Sequence, residues 1–226
     1  LPDGLFQIVH GTHEIGQPIC EHPGIAKVSL TGVVATGKLI MSQSASTLKK
    51  ITLELGGKSP LLVFDDCDFE LAVQTALDAN FYTAGEVCSN ATRVFVQRSI
   101  ADKFIAAMVD KTERMVVGDP MAADVNMGAL ISASHLGKVH DYVNIGHAEG
   151  AQIATGGKQI HPQGFENGCF MEPIILTNCI DSMRVTREEI FGPVMSMLTF
   201  DIWLDIFNNS CSCFFSSFNQ IKKYFL

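Results

Sequence analysis

No uninterrupted apolar run in this chain reaches the roughly 18 residues that a membrane-spanning helix needs, so no helical membrane anchor is expected. Lysines and arginines number 16 against 24 aspartates and glutamates, and they are scattered rather than clustered. Phosphate-backbone binding needs a basic face, so nucleic acid is not an expected partner. Seven cysteines are present, an odd number, and none form the C-x-x-C pairs of a zinc site. Reduced cysteines in a chain of 226 residues suit a cytoplasmic location, with the mitochondrial matrix as the alternative. No basic stretch followed by a continuous apolar segment opens the sequence, and no signal peptide is expected. The usual dinucleotide fingerprint G-x-G-x-x-G is missing, as is H-E-x-x-H, so His10, His13 and His22 read as ordinary loop histidines.

What is present is a globular composition, 47% hydrophobic and 18% charged, long enough for one or two domains with a real core. Apolar runs at residues 5–9, 25–30, 51–55, 61–64, 94–96, 152–154, 170–176 and 194–200 read as strands between glycine, proline or polar turns. Helical stretches lie between them: one reaching Cys20 after the loop at 11–16, one over 34–48, and one over 133–149. Asp68 is a suitable N-cap for another, whose Phe69, Ala72, Val73, Ala76 and Leu77 recur on one helical face. The segment SIAD at 99–102 resembles a capping box opening a helix with Ile100, Phe104, Ile105 and Met108 inward. Strands alternating with helices in this way predict a parallel α/β layer architecture. From residue 202 the composition turns to phenylalanine and serine, with the single tryptophan and an incidental C-x-C at Cys211 and Cys213. That tail is expected to pack poorly.

Two short segments carry chemistry. In LELGGKSP at 53–60, Glu54 ends an apolar strand beside Gly56 and Gly57. A lone glutamate there is by default a solvated edge residue. Held between Leu53 and Leu55, it would instead be desolvated and suited to general-base work. In FYTAGEVCSN at 81–90, Cys88 follows a glycine turn at the end of a helix. A lone cysteine is usually a small buried apolar group, but backbone amides at such a turn can stabilise a thiolate. A thiolate that attacks a carbonyl needs a base to prepare water for product release. Two glycine turns, HGTHEIG with Gly11 and Gly16 and LTGVVATG with Thr31, Gly32 and Gly37, could place a helix N-terminus against a pyrophosphate. Blandly, each is only a strand-to-helix connection. EEIFGPV at 188–194 places Glu189 and Phe191 before a Gly-Pro turn.

Taken together these motifs resemble the NAD(P)-dependent aldehyde dehydrogenases over about residues 1–201, most closely the betaine-aldehyde and trimethylaminobutyraldehyde branch. The resemblance implies an aldehyde dehydrogenase-like α/β fold. Residues 1–53 would close a partial Rossmann-type cofactor domain, 54–201 would form a partial catalytic domain, and 202–226 a divergent tail. It implies NAD or NADP as cofactor and oxidation of an aldehyde, in this branch an aminoaldehyde, to its carboxylate. Cys88 would be the nucleophile and Glu54 the general base. Gly11, Gly16, Thr31, Gly32, Gly37 and Leu55 would line the cofactor, Glu189 would bond the nicotinamide ribose, and Phe191 would contact the nicotinamide. One departure is Val33, where many members carry serine. By the family pattern the oxyanion asparagine, a ribose-contacting lysine and the oligomerisation strand are missing, so the chain is expected to be a fragment inactive alone. The alternatives are a non-catalytic pseudoenzyme or assembly subunit, and a thiol esterase using the same Cys88 and Glu54.

Overall fold

The computed structural model describes residues 1–202 and 205. The chain divides into two compact units, Leu1–Gly56 and a second beginning at Gly57, so the break falls three residues beyond the expected 53/54 boundary. Most of the tail, with Cys211 and Cys213, lies outside the described residues.

The first unit contains α1 (His13–Glu21), β1 (Lys27–Gly32), α2 (Val34–Ser44) and β2 (Lys50–Leu55). β1 and β2 run parallel, from Lys27 opposite Lys50 to Gly32 opposite Leu55. Successive strand side chains point to opposite faces, so Leu53 and Leu55 share one face and Glu54 takes the other. α2 lies on the leucine face: a Cβ on Gly37 would stand 3.0 Å from Leu55 Cδ2 and 3.4 Å from Leu53 Cδ1. Cys20, Val28 and Ile40 are buried, with Ile25, Leu30 and Ile51 packed around them. Lys49 Nζ donates to the His22 carbonyl at 2.8 Å, tying the start of β2 to the end of α1.

Three expectations need correction in this unit. Residues 5–9 form no strand, and Leu5, Phe6, Ile8 and Val9 are exposed. Apolar alternation makes a strand only where a partner supplies hydrogen bonds, and among the described residues β1 and β2 pair with each other alone. Gly16 therefore lies inside α1, not in a strand-to-helix turn. The second helix stops at Ser44 rather than running to residue 48. A 3-10 turn, Ala45–Thr47, follows, and Leu48 takes a left-handed backbone at φ 51°.

The second unit is built around a five-stranded sheet. In chain order its elements are β3 (Pro60–Val63), α3 (Phe69–Phe81), β4 (Arg93–Gln97), α4 (Ala101–Glu113), α5 (Ala133–Ala148), β5 (Gln152–Thr155), β6 (Gln159–Ile160), β7 (Phe170–Met171), β8 (Ile174–Thr177), α6 (Arg184–Arg187) and β9 (Val194–Phe200). The strand order is β3-β4-β9-β8-β5, with β6 and β7 a separate two-stranded pair. All neighbours in the large sheet are parallel except β5 against β8. Parallel sheets need cover on both faces, and the strand residues divide accordingly. Ile174, Leu176, Val194, Leu198 and Phe200 pack with Leu136, Val139 and Val143 of α5. Ile175, Met195, Met197, Val94 and Val96 pack with Val73, Leu77 and Phe81 of α3 and Phe104 and Met108 of α4.

Asp68 caps α3 as expected, accepting from the Leu71 amide at 3.1 Å. The capping box at 99–102 does not form. A 3-10 turn, Arg98–Ile100, leads into α4, whose N-cap Ile100 has no capping side chain, and Ser99 Oγ instead donates to Asp65 Oδ2 at 2.9 Å. The expected strand at 170–176 is cut in two by Pro173, which has no N–H for a ladder. Its first part pairs with β6 and its second with β9. Neither the β6–β7 pair nor α6 was expected.

Candidate functional site

In the first unit, the register of the β1–β2 pair brings Thr31 opposite Glu54 and Gly32 opposite Leu55, both at the carboxyl ends of the strands. Ligands of open parallel sheets bind outside those ends. The chain then turns directly into α2, whose N-cap Val33 offers no side-chain hydrogen bond. The first-turn amides of α2 are thus uncapped by protein side chains, and Val33 and Val34 are exposed there. An anion such as a pyrophosphate fits such a helix end. Gly37 is buried deeper in α2, where its small size lets the helix lie on Leu53 and Leu55. Gly11 is exposed in the loop before α1, and Gly16 has open space beside it within the helix. Glu54 is exposed, which corrects the desolvated position expected from Leu53 and Leu55. Those leucines lie on the opposite face of the strand and do not enclose it.

In the second unit, the end of α3 leads to Cys88 through unusual backbone. Thr83, Ala84 and Gly85 all have positive φ, 53°, 53° and 74°. Left-handed non-glycine residues cost energy and persist only where packing over-determines them. Gly85 shows why the packing is tight. A Cβ there would run into the Gly192 carbonyl and stand 2.8 Å from the Pro193 nitrogen. The glycine before the cysteine is therefore pressed against the Gly-Pro of EEIFGPV, and the two motifs meet backbone to backbone. Phe191, the residue before that pair, is itself left-handed at φ 60°.

Cys88 and Ser89 then occupy the apex of a tight turn closed by the Asn90 amide donating to the Val87 carbonyl at 3.1 Å. The buried Asn90 anchors this turn, and the Ala91 amide donates to Ala79 O of α3 at 3.0 Å. Cys88 is exposed at the apex, whereas Cys20 and Cys179 are buried. All five described cysteines are unpaired. Burial pushes the Cys179 thiol up to about 12, and burial, with the neighbouring aspartates, also raises Cys67.

Sequence reasoning missed three groups in this unit, the first of them beside the turn. Glu86 Oε1 accepts from the Ile131 amide at 3.3 Å and stands 3.3 Å from His135 Nε2. The same Nε2 lies 2.5 Å from the Phe191 carbonyl, 56 residues away in sequence. Both neighbours of Nε2 only accept hydrogen bonds, so that nitrogen carries the proton. Second, Arg184 and Tyr142 both donate to Glu188, which holds its carboxyl at about 2 and fixes the start of the EEIFGPV segment. Third, Lys58 of LELGGKSP has its Nζ buried without a hydrogen-bond partner. Burial, reinforced by Arg93, lowers it to about 7 against the opposing pull of Cys179, Glu189 and Glu188. Lys58 and Glu86 stood inside quoted motifs and could have been weighed. His135 carried no local signal. Glu189 itself is half-buried beside Glu188. No cluster of three or more His, Cys, Asp or Glu suited to a metal occurs among the described residues, and no described helix is long and apolar enough to cross a membrane.

The chain is similar to known proteins. The betaine aldehyde dehydrogenase of Vibrio vulnificus (strain YJ016) is 50% identical over 201 residues, covering 89% of this chain and 41% of that protein. The 4-trimethylaminobutyraldehyde dehydrogenase of Homo sapiens is 50% identical over 203 residues, with the same coverage of 89% and 41%. A crystal structure of betaine aldehyde dehydrogenase from Staphylococcus aureus in complex with NAD+ superposes with a TM-score of 0.81 at 44% identity, covering 83% of this chain and 37% of that one. The chain thus spans about two-fifths of the length of the relatives it matches. The fold is that of an aldehyde dehydrogenase. The family model for the aldehyde dehydrogenase family matches residues 1–210, across both units and every motif described above, and the chain belongs to that family.

Proposed function

We propose that this chain carries the nucleophile and the general base of an NAD-dependent oxidation of an aldehyde to its carboxylate. The observation that supports this most directly is the exposed Cys88 at the apex of a turn packed by Gly85 onto the segment holding Phe191. The Cys88 thiolate attacks the aldehyde carbonyl carbon, and the resulting thiohemiacetal loses hydride to become a thioester. Glu54 takes a proton from water, which attacks the thioester, releases the carboxylate and returns the thiolate. NAD, when bound, supplies the hydride acceptor. The uncapped start of α2 with Thr31 and Gly32 suits its pyrophosphate, Leu55 lines the same strand end, and Glu189 and Phe191 serve its ribose and nicotinamide. Gly37 contributes by keeping α2 on β2, and Gly11 and Gly16 lie at α1. The named activities of the two relatives favour an aldehyde with a quaternary ammonium group and NAD rather than NADP follows the named crystal complex. The unpaired state of the five described cysteines suits a reducing compartment such as the cytoplasm.

A chimera tests the reading. Residues 1–201 replace the matching stretch of the Vibrio vulnificus relative, and NADH formation from betaine aldehyde is followed. Activity is expected, with complete loss in Cys88→Ala. In Glu54→Gln the amide cannot take a proton from water, so a first burst of NADH should survive while steady turnover falls by about 100-fold or more. A folded but inactive chimera would reject the enzyme reading in favour of a pseudoenzyme. Ester hydrolysis without NADH formation would favour the thiol esterase.

A further inference from the structure

We propose that Glu86 and His135 are positioning residues that clamp the Cys88 turn to the Phe191 turn. The proposal rests on the assignment of Cys88 as nucleophile.

Three segments distant in sequence meet at one imidazole. Glu86 lies two residues before Cys88, His135 lies in the first turn of α5, and Phe191 precedes the Gly-Pro pair. His135 Nε2 donates to the Phe191 carbonyl at 2.5 Å and faces Glu86 Oε1 at 3.3 Å. Glu86 Oε1 also accepts from the Ile131 amide, in the loop before α5. The His135 amide donates to Ser132 Oγ at 3.2 Å, which caps the helix and fixes the origin of the side chain. Both side chains are mostly buried, 14% and 17% exposed, so water competes weakly for these bonds.

The backbone on either side explains why a clamp is needed. Thr83, Ala84 and Phe191 hold left-handed conformations that a free loop would leave. Gly85 packs against Gly192 but supplies contact without directional bonds. The Glu86–His135–Phe191 bridge supplies direction: it fixes the Phe191 carbonyl on one side and the stem of the cysteine turn on the other. Neither Glu86 nor His135 touches the reacting sulfur, so they act through the geometry of Cys88.

The test reads Cys88 itself and needs no turnover. The rate of Cys88 alkylation by iodoacetamide is followed by peptide mass spectrometry in single and double variants of the chain, with folding checked by thermal melting. Glu86→Gln and His135→Gln keep an acceptor and a donor near the same places and serve as controls for charge and ring. Glu86→Ala is expected to alkylate at Cys88 about fivefold more slowly than Glu86→Gln, and His135→Leu about fivefold more slowly than His135→Gln, the scale of one mostly buried hydrogen bond. Because both act through one bridge, the double variant should be no slower than the slower single variant. Where His135→Leu fails to fold, His135→Asn, too short to reach Phe191, replaces it. Equal rates within each pair, or effects that multiply in the double variant, would overturn the clamp. Should Cys88 not be the fastest thiol in the parent chain, the nucleophile reading falls instead. The variant comparison still decides the clamp.

Discussion

Cys88 differs from the other described cysteines in exposure, and exposure sets reaction with an added alkylating agent. Cys20 and Cys179 are buried, and burial holds the Cys179 thiol at about 12, far from its thiolate form. Cys67 is half-buried and also raised. Brief iodoacetamide treatment should therefore label Cys88 before any of these, since rate follows thiolate fraction and access. Earlier labelling of Cys67 or Cys169 would remove Cys88 from the nucleophile's role. The position of Cys88 after a helix and a glycine could be read from the residues, because Gly85 marks a backbone that other residues resist. The surroundings of Glu54 could not. Alternation along β2 places Leu53 and Leu55 on the face opposite the carboxylate, and a reading of neighbours in sequence mistook them for its walls.

At the scale of elements, α2 begins badly. Val33 at its N-cap has no oxygen to accept a first-turn amide. Val33→Ser should stabilise the first unit by about 1 kcal/mol, the usual worth of a cap. The same hydroxyl should tighten NAD binding in the chimera, measured by fluorescence titration; an unchanged melting temperature would show that the turn does not adopt capping geometry. The opposite outcome is expected at Gly85→Ala. Its positive φ alone makes alanine costly by about 1–3 kcal/mol, and the new methyl has only Gly192 and Pro193 backbone to enter. Denaturant titration should show a lower midpoint, and an unchanged one would mean that the Gly-Pro turn yields. α3 and α5 and strands β2, β4 and β9 were readable from periodicity. The failures share one cause, which is that pattern does not reveal the partner. Residues 5–9 had the alternation of a strand and no neighbour, β6 had a neighbour and almost no pattern, and Ser99 found Asp65 instead of its own helix.

The whole molecule pays for Lys58. Its ammonium is buried and lowered to about 7, whereas in the unfolded chain it keeps the ordinary lysine value of 10.5. Below pH 7 both states hold the proton and the folded state bears the full cost of burying it. Between about 7 and 10.5 the unfolded state binds more protons, so stability contributed by this residue rises with pH. Lys58→Met should raise the melting temperature most at pH 6, with a gap over the parent that narrows toward pH 9. A gap independent of pH would show that Lys58 keeps its charge when folded at both ends. A different consequence follows from the strand order. Among the described residues β9 is the last strand of the large sheet, yet it lies in the middle, between β4 and β8. During synthesis the ribosome releases β3 and β4, then β5 and β8, as two ribbons with nothing to join them until residues 194–200 emerge. Until then the edges of β4 and β8 that β9 will cover stand open, and in that interval the nascent chain is most exposed to strand pairing with its neighbours and most dependent on chaperones.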